Sequence, residues 1–191
     1  MCYIGTNNYK AGYEAGKKMA VLMNNSGEVA ILQGGLDSPN LNMRVKGFKE
    51  ALLDTSDNIK LVAIEETHSD YALAVAKTEE LLVTYPNLKA IFGVSAYEAP
   101  AAALVIKDKN RKDIVIGGFD DLKDTLKAIR EGYIRFSIIQ STYKMGWLSV
   151  EMLFDLVSGK KIPSNIDTGI TIVDRSNVDT YFDEIKKEFK K

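Results

Sequence analysis

The amino-acid sequence predicts an α/β fold built on a doubly wound parallel sheet, and three observations carry that prediction. Short apolar runs at residues 28–33, 59–65, 88–94 and 113–119 have the composition of strands buried on both faces. Segments with helical spacing separate them, so strands and helices alternate regularly. Several runs end in glycine or a short polar residue, at Gly34-Gly35, Ser95 and Gly117-Gly118-Phe119-Asp120. Open α/β sheets place their ligands at those carboxyl ends.

Taken in order, residues 1–6 read as a short strand, and Asn7-Asn8 offers a cap for a helix over 9–24 with Ala11, Ala15, Met19 and Leu22 at helical spacing. Asn24-Asn25-Ser26-Gly27 stops it. After the strand at 28–33, Gly34-Gly35 turns the chain and Asp37-Ser38-Pro39 opens a helix to about Leu53. The third strand, 59–65, leads to His68-Ser69-Asp70, which caps a helix over 71–84 that Pro86-Asn87 ends. Strand 88–94, helix 95–109 and strand 113–119 follow, then a helix over 122–131 and a strand closing at Gln140. Beyond Gln140 a helix over 141–157 carries Met145, Leu148, Met152 and Leu156 on one face. Ile170-Thr171-Ile172-Val173 makes a last strand, and a charged tail helix is expected from Val178 to about Phe189.

Composition excludes several functions. The 191 residues carry 25 basic and 26 acidic side chains, a net charge of −1 with no basic block, so nucleic acid is not an expected partner. One cysteine, Cys2, rules out an internal disulfide. No stretch approaches the roughly 20 apolar residues that span a bilayer. Met1 leads directly into Tyr3-Ile4-Gly5 without a signal peptide, so either the protein is cytoplasmic or the start of the chain is missing. His68 is the only histidine and has no neighbouring cysteine or acid cluster, a poor basis for a metal site. Gly93-Val94-Ser95-Ala96-Tyr97 lacks the closing glycine of a nucleophile elbow, and Gly34-Gly35 lacks the residues of a phosphate loop. The chain is not expected to be an enzyme or to carry a cofactor.

The remaining polar residues have two readings each. Asp120 is either a ligand carboxylate at a crevice or the N-cap of the helix at Leu122. It is no phospho-acceptor, because Tyr3-Ile4-Gly5-Thr6 supplies no partner acid. Arg44 lies one turn into its helix, where local pattern alone reads it as a solvated surface arginine. Ser95 stands at the end of the strand beside that of Asp120, as a site residue, a cap or both. Gln140 offers amide donors and a carbonyl acceptor at the next strand end, and two polar groups at neighbouring strand ends suit a ligand rich in hydroxyls.

Five segments together resemble the periplasmic sugar-binding proteins of the ribose-binding type, which share their fold with the effector core of LacI-type repressors. They are Ile4-Gly5-Thr6-Asn7-Asn8-Tyr9-Lys10-Ala11-Gly12, Val29-Ala30-Ile31-Leu32-Gln33-Gly34, Arg44-Val45-Lys46-Gly47-Phe48, Gly117-Gly118-Phe119-Asp120 and Ile166-Asp167-Thr168-Gly169. The resemblance implies two similar lobes, three crossings between them and a sugar in the cleft. By that resemblance Arg44 grips ring and hydroxyl oxygens, Asp120 accepts two hydroxyls and Gln140 is the hinge-side amide. Ser95 falls where the family often has asparagine, and His68 or Ser69 where it often has an aromatic, so the resemblance does not name the sugar.

It also implies that residues 7–139 and 168–191 form the second lobe, with 1–6 and 140–167 a remnant of the first. The function so implied is capture of a pentose or hexose outside the cytoplasm, for the membrane permease of an ABC transporter or the ectodomain of a sensor kinase. The alternative is a repressor core lacking its DNA-binding headpiece. Four polar groups, Arg44, Ser95, Asp120 and Gln140, should then converge on one crevice, and the helix over 141–157 should meet a missing lobe or a second copy of the chain.

Overall fold

A computed structural model describes residues 2–183 of the chain. Its elements in order are β1 (Tyr3–Gly5), α1 (Asn8–Leu22), β2 (Gly27–Gln33), α2 (Pro39–Thr55), β3 (Ile59–Glu66), α3 (Tyr71–Thr84) and β4 (Leu88–Gly93). There follow α4 (Glu98–Asp108), β5 (Val115–Phe119), α5 (Lys123–Glu131), β6 (Phe136–Gln140), α6 (Thr142–Val157), β7 (Asn165–Asp167) and β8 (Ile170–Asp174). Residues 175–180 form turns and 181–183 are helical, and the remainder of the expected tail helix lies outside the described residues.

The main sheet has six strands in the order β3-β2-β4-β5-β6-β8. Its central strands are buried on both sides. Along β2, Val29 and Ile31 pack with Met19, Phe48 and Leu52 of α1 and α2, while Ala30 and Leu32 pack with Leu81, Ala102 and Ile106 of α3 and α4. This two-sided burial is why the strand runs read as continuously apolar rather than alternating. Phe48 and Phe92 stack at 4.2 Å between ring centres and join α2 to β4.

The helices start where short polar side chains can satisfy their free N–H groups. Asn7 accepts from Lys10 N at the head of α1, and Asp70 from Leu73 N at the head of α3. Against α1, α2 packs at backbone distance. A Cβ at Gly12 would lie 1.9 Å from the carbonyl oxygen of Arg44, and one at Gly47 2.1 Å from that of Tyr9. Only glycine allows this approach, and it sets Arg44 close over the first turn of α1.

Two departures from the sequence reading concern the chain beyond β6. The sheet is parallel only from β3 to β6, and β8 runs antiparallel to β6. Gln140, the last residue of β6, pairs with Ile170, the first of β8, so the chain re-enters the sheet at the end it left and must run back. Between the two strands it visits a second sheet, in which β7 pairs with β1 in parallel. It thus passes between the sheets after Gly5, after Gln140 and after Asp167.

α6 has no fully buried residue, in keeping with the expectation that it meets something beyond this chain, but its barest side chains lie off the expected stripe. Met145, Leu148 and Met152 are half-buried and Leu156 is 52% exposed, while Trp147, Val150, Leu153, Phe154 and Val157 on other faces are each more than 60% exposed. A helix apolar nearly all round has no single stripe for periodicity to select. Its half-covered face and β1 border an open groove of about 490 Å³ lined by Tyr3, Ile4, Met152, Leu156 and Ile162.

Asp174, closing β8, is tied to α1 by the Lys18 ammonium at 2.9 Å and to the next turn by the Ser176 hydroxyl and N–H. Burial opposes its ionisation, but these donors outweigh burial and hold its pKa down to about 2. A carboxyl depressed in the fold contributes stability above the unfolded value near 3.9, lost as pH falls through the folded value. Unfolding in urea should therefore show a loss of stability between about pH 4 and pH 2, and Lys18→Met should make that slope shallower.

Candidate functional site

The carboxyl ends of the parallel strands bring five loops side by side: 67–69 after β3, 34–35 after β2, 94–95 after β4, Asp120 after β5 and Gln140 at the end of β6. Arg44 reaches into this edge from α2. It is 3% exposed, not the solvated residue its local sequence suggests. Its Nε donates to Asn8 Oδ1 at 2.9 Å, its Nη1 to the Val94 carbonyl at 3.0 Å, and its guanidinium lies 3.9 Å from the centre of the Phe119 ring. Burial lowers the Arg44 pKa from its ordinary value, against the attraction of the Asp120 and Glu98 carboxylates. The guanidinium still presents three further N–H groups in a planar fork suited to oxygen acceptors.

Asp120 adopts a left-handed backbone, φ +63°, rare for a side chain with a Cβ. Its N–H donates to Ile138 O and its carbonyl accepts from Ser137 Oγ, so β6 holds the strained residue on both sides. Its carboxylate caps no helix. The residue at the head of α5 is Leu122, without a side-chain cap, and Asp120 Oδ1 instead accepts from Gln140 Nε2 at 2.9 Å. Asp120 and Gln140 are thus in direct contact. Arg44 adjoins them through Phe119, the neighbour of Asp120, and through Val94, the neighbour of Ser95.

Ser95 is half-buried and does not cap α4, which starts at Glu98 rather than at Ser95. Its hydroxyl and N–H both donate to the Glu98 carboxylate. Ser69, at φ +55°, lies against Gly34 near Ser95. His68, at φ +51°, stands apart at the edge strand, with Nδ1 3.5 Å from Glu66 Oε1 and its side chain largely exposed. Sequence reasoning missed Asn8 and Phe119, which seat Arg44, and Glu98, which seats Ser95. Only Glu98 left a local signal, the spacing Ser95-Ala96-Tyr97-Glu98 of a capping box.

A doubly wound sheet whose strand ends carry a buried arginine, a carboxylate and an amide, with three passages to a second small sheet, is the architecture of a type I periplasmic-binding-protein lobe. The chain belongs to the periplasmic binding protein family, whose domain model matches residues 1–161. The xylose/arabinose-binding protein XylF of Sulfolobus acidocaldarius is 28% identical over 187 residues, covering 94% of this chain and 46% of the relative. A solute-binding protein from Burkholderia graminis, solved with D-arabinose, is 40% identical with a TM-score of 0.89, covering 94% of this chain and 64% of that one. A structure described as a XylFII–LytSN complex is 34% identical with a TM-score of 0.85, covering 93% and 63%. The chain spans about half the length of the curated relatives it matches.

Arg44→Lys keeps the charge but not the fork that spans Asn8 and Val94. At least one buried acceptor then loses its donor, a cost of about 1–3 kcal/mol that should appear as a lower urea midpoint with an unchanged denaturant slope.

Proposed function

We propose that this chain supplies one wall, and part of the other, of a monosaccharide-binding cleft in a solute-binding protein that serves an ABC importer from outside the cytoplasm. The observation that carries the reading is the contiguous row of Arg44, Asp120 and Gln140 at the strand ends, beside the three passages between the two sheets. Charged donors and acceptors in a half-dry cleft satisfy several hydroxyls by strong hydrogen bonds. In this reading Arg44 donates to ring and hydroxyl oxygens and Asp120 accepts from hydroxyls. Gln140 holds the Asp120 carboxylate and presents its own carbonyl, while Ser95 and Ser69 extend the wall toward β2. His68, exposed at the edge strand, is the outermost candidate.

The names of the relatives support a pentose or hexose as ligand and disfavour a repressor core. Residues 7–139 and 168–191 form one lobe in this reading, with 1–6 and 140–167 belonging to the other. The passages after Gly5, Gln140 and Asp167 act as its hinge. The bare faces of α6, with Trp147, Phe154 and Val157, then meet the rest of that lobe or a second copy, since each exposed apolar side chain forfeits on the order of 1.5–3 kcal/mol. A second outlet is presentation of the sugar to the ectodomain of a membrane sensor, and the similarity to a structure described as a XylFII–LytSN complex supports a protein partner for this fold.

Asp120→Ala in the full-length protein should weaken sugar binding by about 2–3 kcal/mol, and calorimetry showing unchanged affinity would remove Asp120 from the site. The 191-residue chain by itself should bind pentoses and hexoses only at about millimolar concentration, because affinity in such clefts needs both walls to exclude water. Micromolar affinity for the isolated chain would overturn the two-wall reading.

A further inference from the structure

We propose that Glu98 is a positioning residue of the cleft, holding the hydroxyl proton of Ser95 so that Ser95 meets a ligand only as a hydrogen-bond acceptor. The proposal rests on the monosaccharide reading and names what one part of that wall selects. Glu98 is fully buried, and the nearby Arg44 cation directs its hydrogen bonds to Asn8 and Val94 rather than to it. Such a carboxylate persists only where several donors converge on it. Here the Thr67 hydroxyl, itself fully buried, donates to Oε1 at 2.8 Å, and the Ser95 N–H to Oε2 at 3.1 Å. The Ser95 hydroxyl lies 2.9 and 2.7 Å from the two oxygens.

The cluster gathers loops after three different strands, and Gly34 makes room for it. A Cβ there would stand 2.5 Å from Ser69 Oγ, 2.8 Å from Ser95 Oγ and 3.2 Å from Glu98 Oε1. The Ser95-x-x-Glu98 spacing is that of a capping box, yet only half of the box forms. Glu98 accepts the Ser95 N–H, but the Ser95 hydroxyl donates to Glu98 instead of accepting from the helix. An ionised carboxylate only accepts, and a serine hydroxyl has one proton and two lone pairs. With its proton committed inward, Ser95 turns lone pairs toward the cleft edge, next to Val94, whose carbonyl Arg44 occupies. A ligand group at Ser95 must therefore carry a hydrogen. A hydroxyl fits, and a fluorine or an ether oxygen at the same position meets an acceptor it cannot satisfy.

Glu98→Gln tests this, because the new amide nitrogen donates to Ser95 Oγ and frees the serine proton to point outward. The full-length protein and its variants are titrated by calorimetry with D-ribose, D-xylose, L-arabinose, D-glucose and D-galactose. The tightest of these is then compared with its monodeoxyfluoro derivatives at each ring position. The expected result is about tenfold weaker binding of the parent sugar by Glu98→Gln, and a fluorine penalty that shrinks about tenfold at one position only. Ser95→Ala should erase the effect of Glu98→Gln, as coupled residues do. Should Glu98→Gln fail to fold, Ser95→Ala alone decides: loss of a position-specific fluorine penalty supports the assignment, and an unchanged profile overturns it. Additive losses, or a fluorine profile identical in Glu98→Gln and the parent protein, overturn the role of Glu98 and leave sugar binding intact. Failure of the parent protein to bind any of the five sugars overturns the sugar reading and this assignment with it.

Discussion

The buried guanidinium of Arg44 is the constraint on which the carboxyl edge of the sheet depends. A cation removed from water must be matched by fixed acceptors and nearby negative charge, or its burial costs several kcal/mol. Asn8 on α1 and the carbonyl after β4 supply the acceptors, the Phe119 ring covers one face of the plane, and two carboxylates offset the charge. Each partner comes from a different element. Satisfying one side chain thus fixes the first turn of α1, the path of α2 and the ends of β4 and β5 relative to one another.

That fixation matters because the carboxyl ends of parallel strands are otherwise loops with unsatisfied backbone groups. Asp120 sits in the left-handed region, between an N–H bonded to Ile138 and a carbonyl bonded to Ser137, and β6 leaves it little freedom. A residue held in a costly conformation by several bonds presents its carboxylate in one direction. Rigid polar groups at known spacing are what recognition of a hydroxyl-rich ligand requires, since each misplaced group leaves an unpaired donor or acceptor.

The rest of the molecule is less self-sufficient. The six-stranded sheet has a core on each face, closed by α1 and α2 on one side and by α3, α4 and α5 on the other. The second sheet has two short strands and a helix none of whose residues is fully buried. Three passages connect this thin layer to the main sheet, so any motion between the two is confined to short backbone segments. The exposed aromatics of α6 and the edges of β1 and β7 are surfaces of the kind that proteins cover.

The alternation of strands and helices was legible in the sequence because burial on both faces leaves uninterrupted apolar runs, and because Asn7, Pro39 and Asp70 mark helix starts by local chemistry. The position of Asp120 at a strand end was legible for the same reason. Its task was not, since capping and ligand contact use the same carboxylate, and only the paired β6 withdraws it from α5. Gln140 stood out in the same way, at the end of the next strand, whereas Arg44 stood out only through a resemblance, its local pattern placing it in solvent. Its burial follows from the close approach of α1 and α2 at Gly12 and Gly47, a contact between segments more than 30 residues apart. The reversed direction of β8, and which faces of α6 stay bare, were likewise decided by tertiary structure. Local sequence sets which conformations a segment favours and which side chains stand at its ends. Which partner each polar group finds depends on elements brought together from distant parts of the chain.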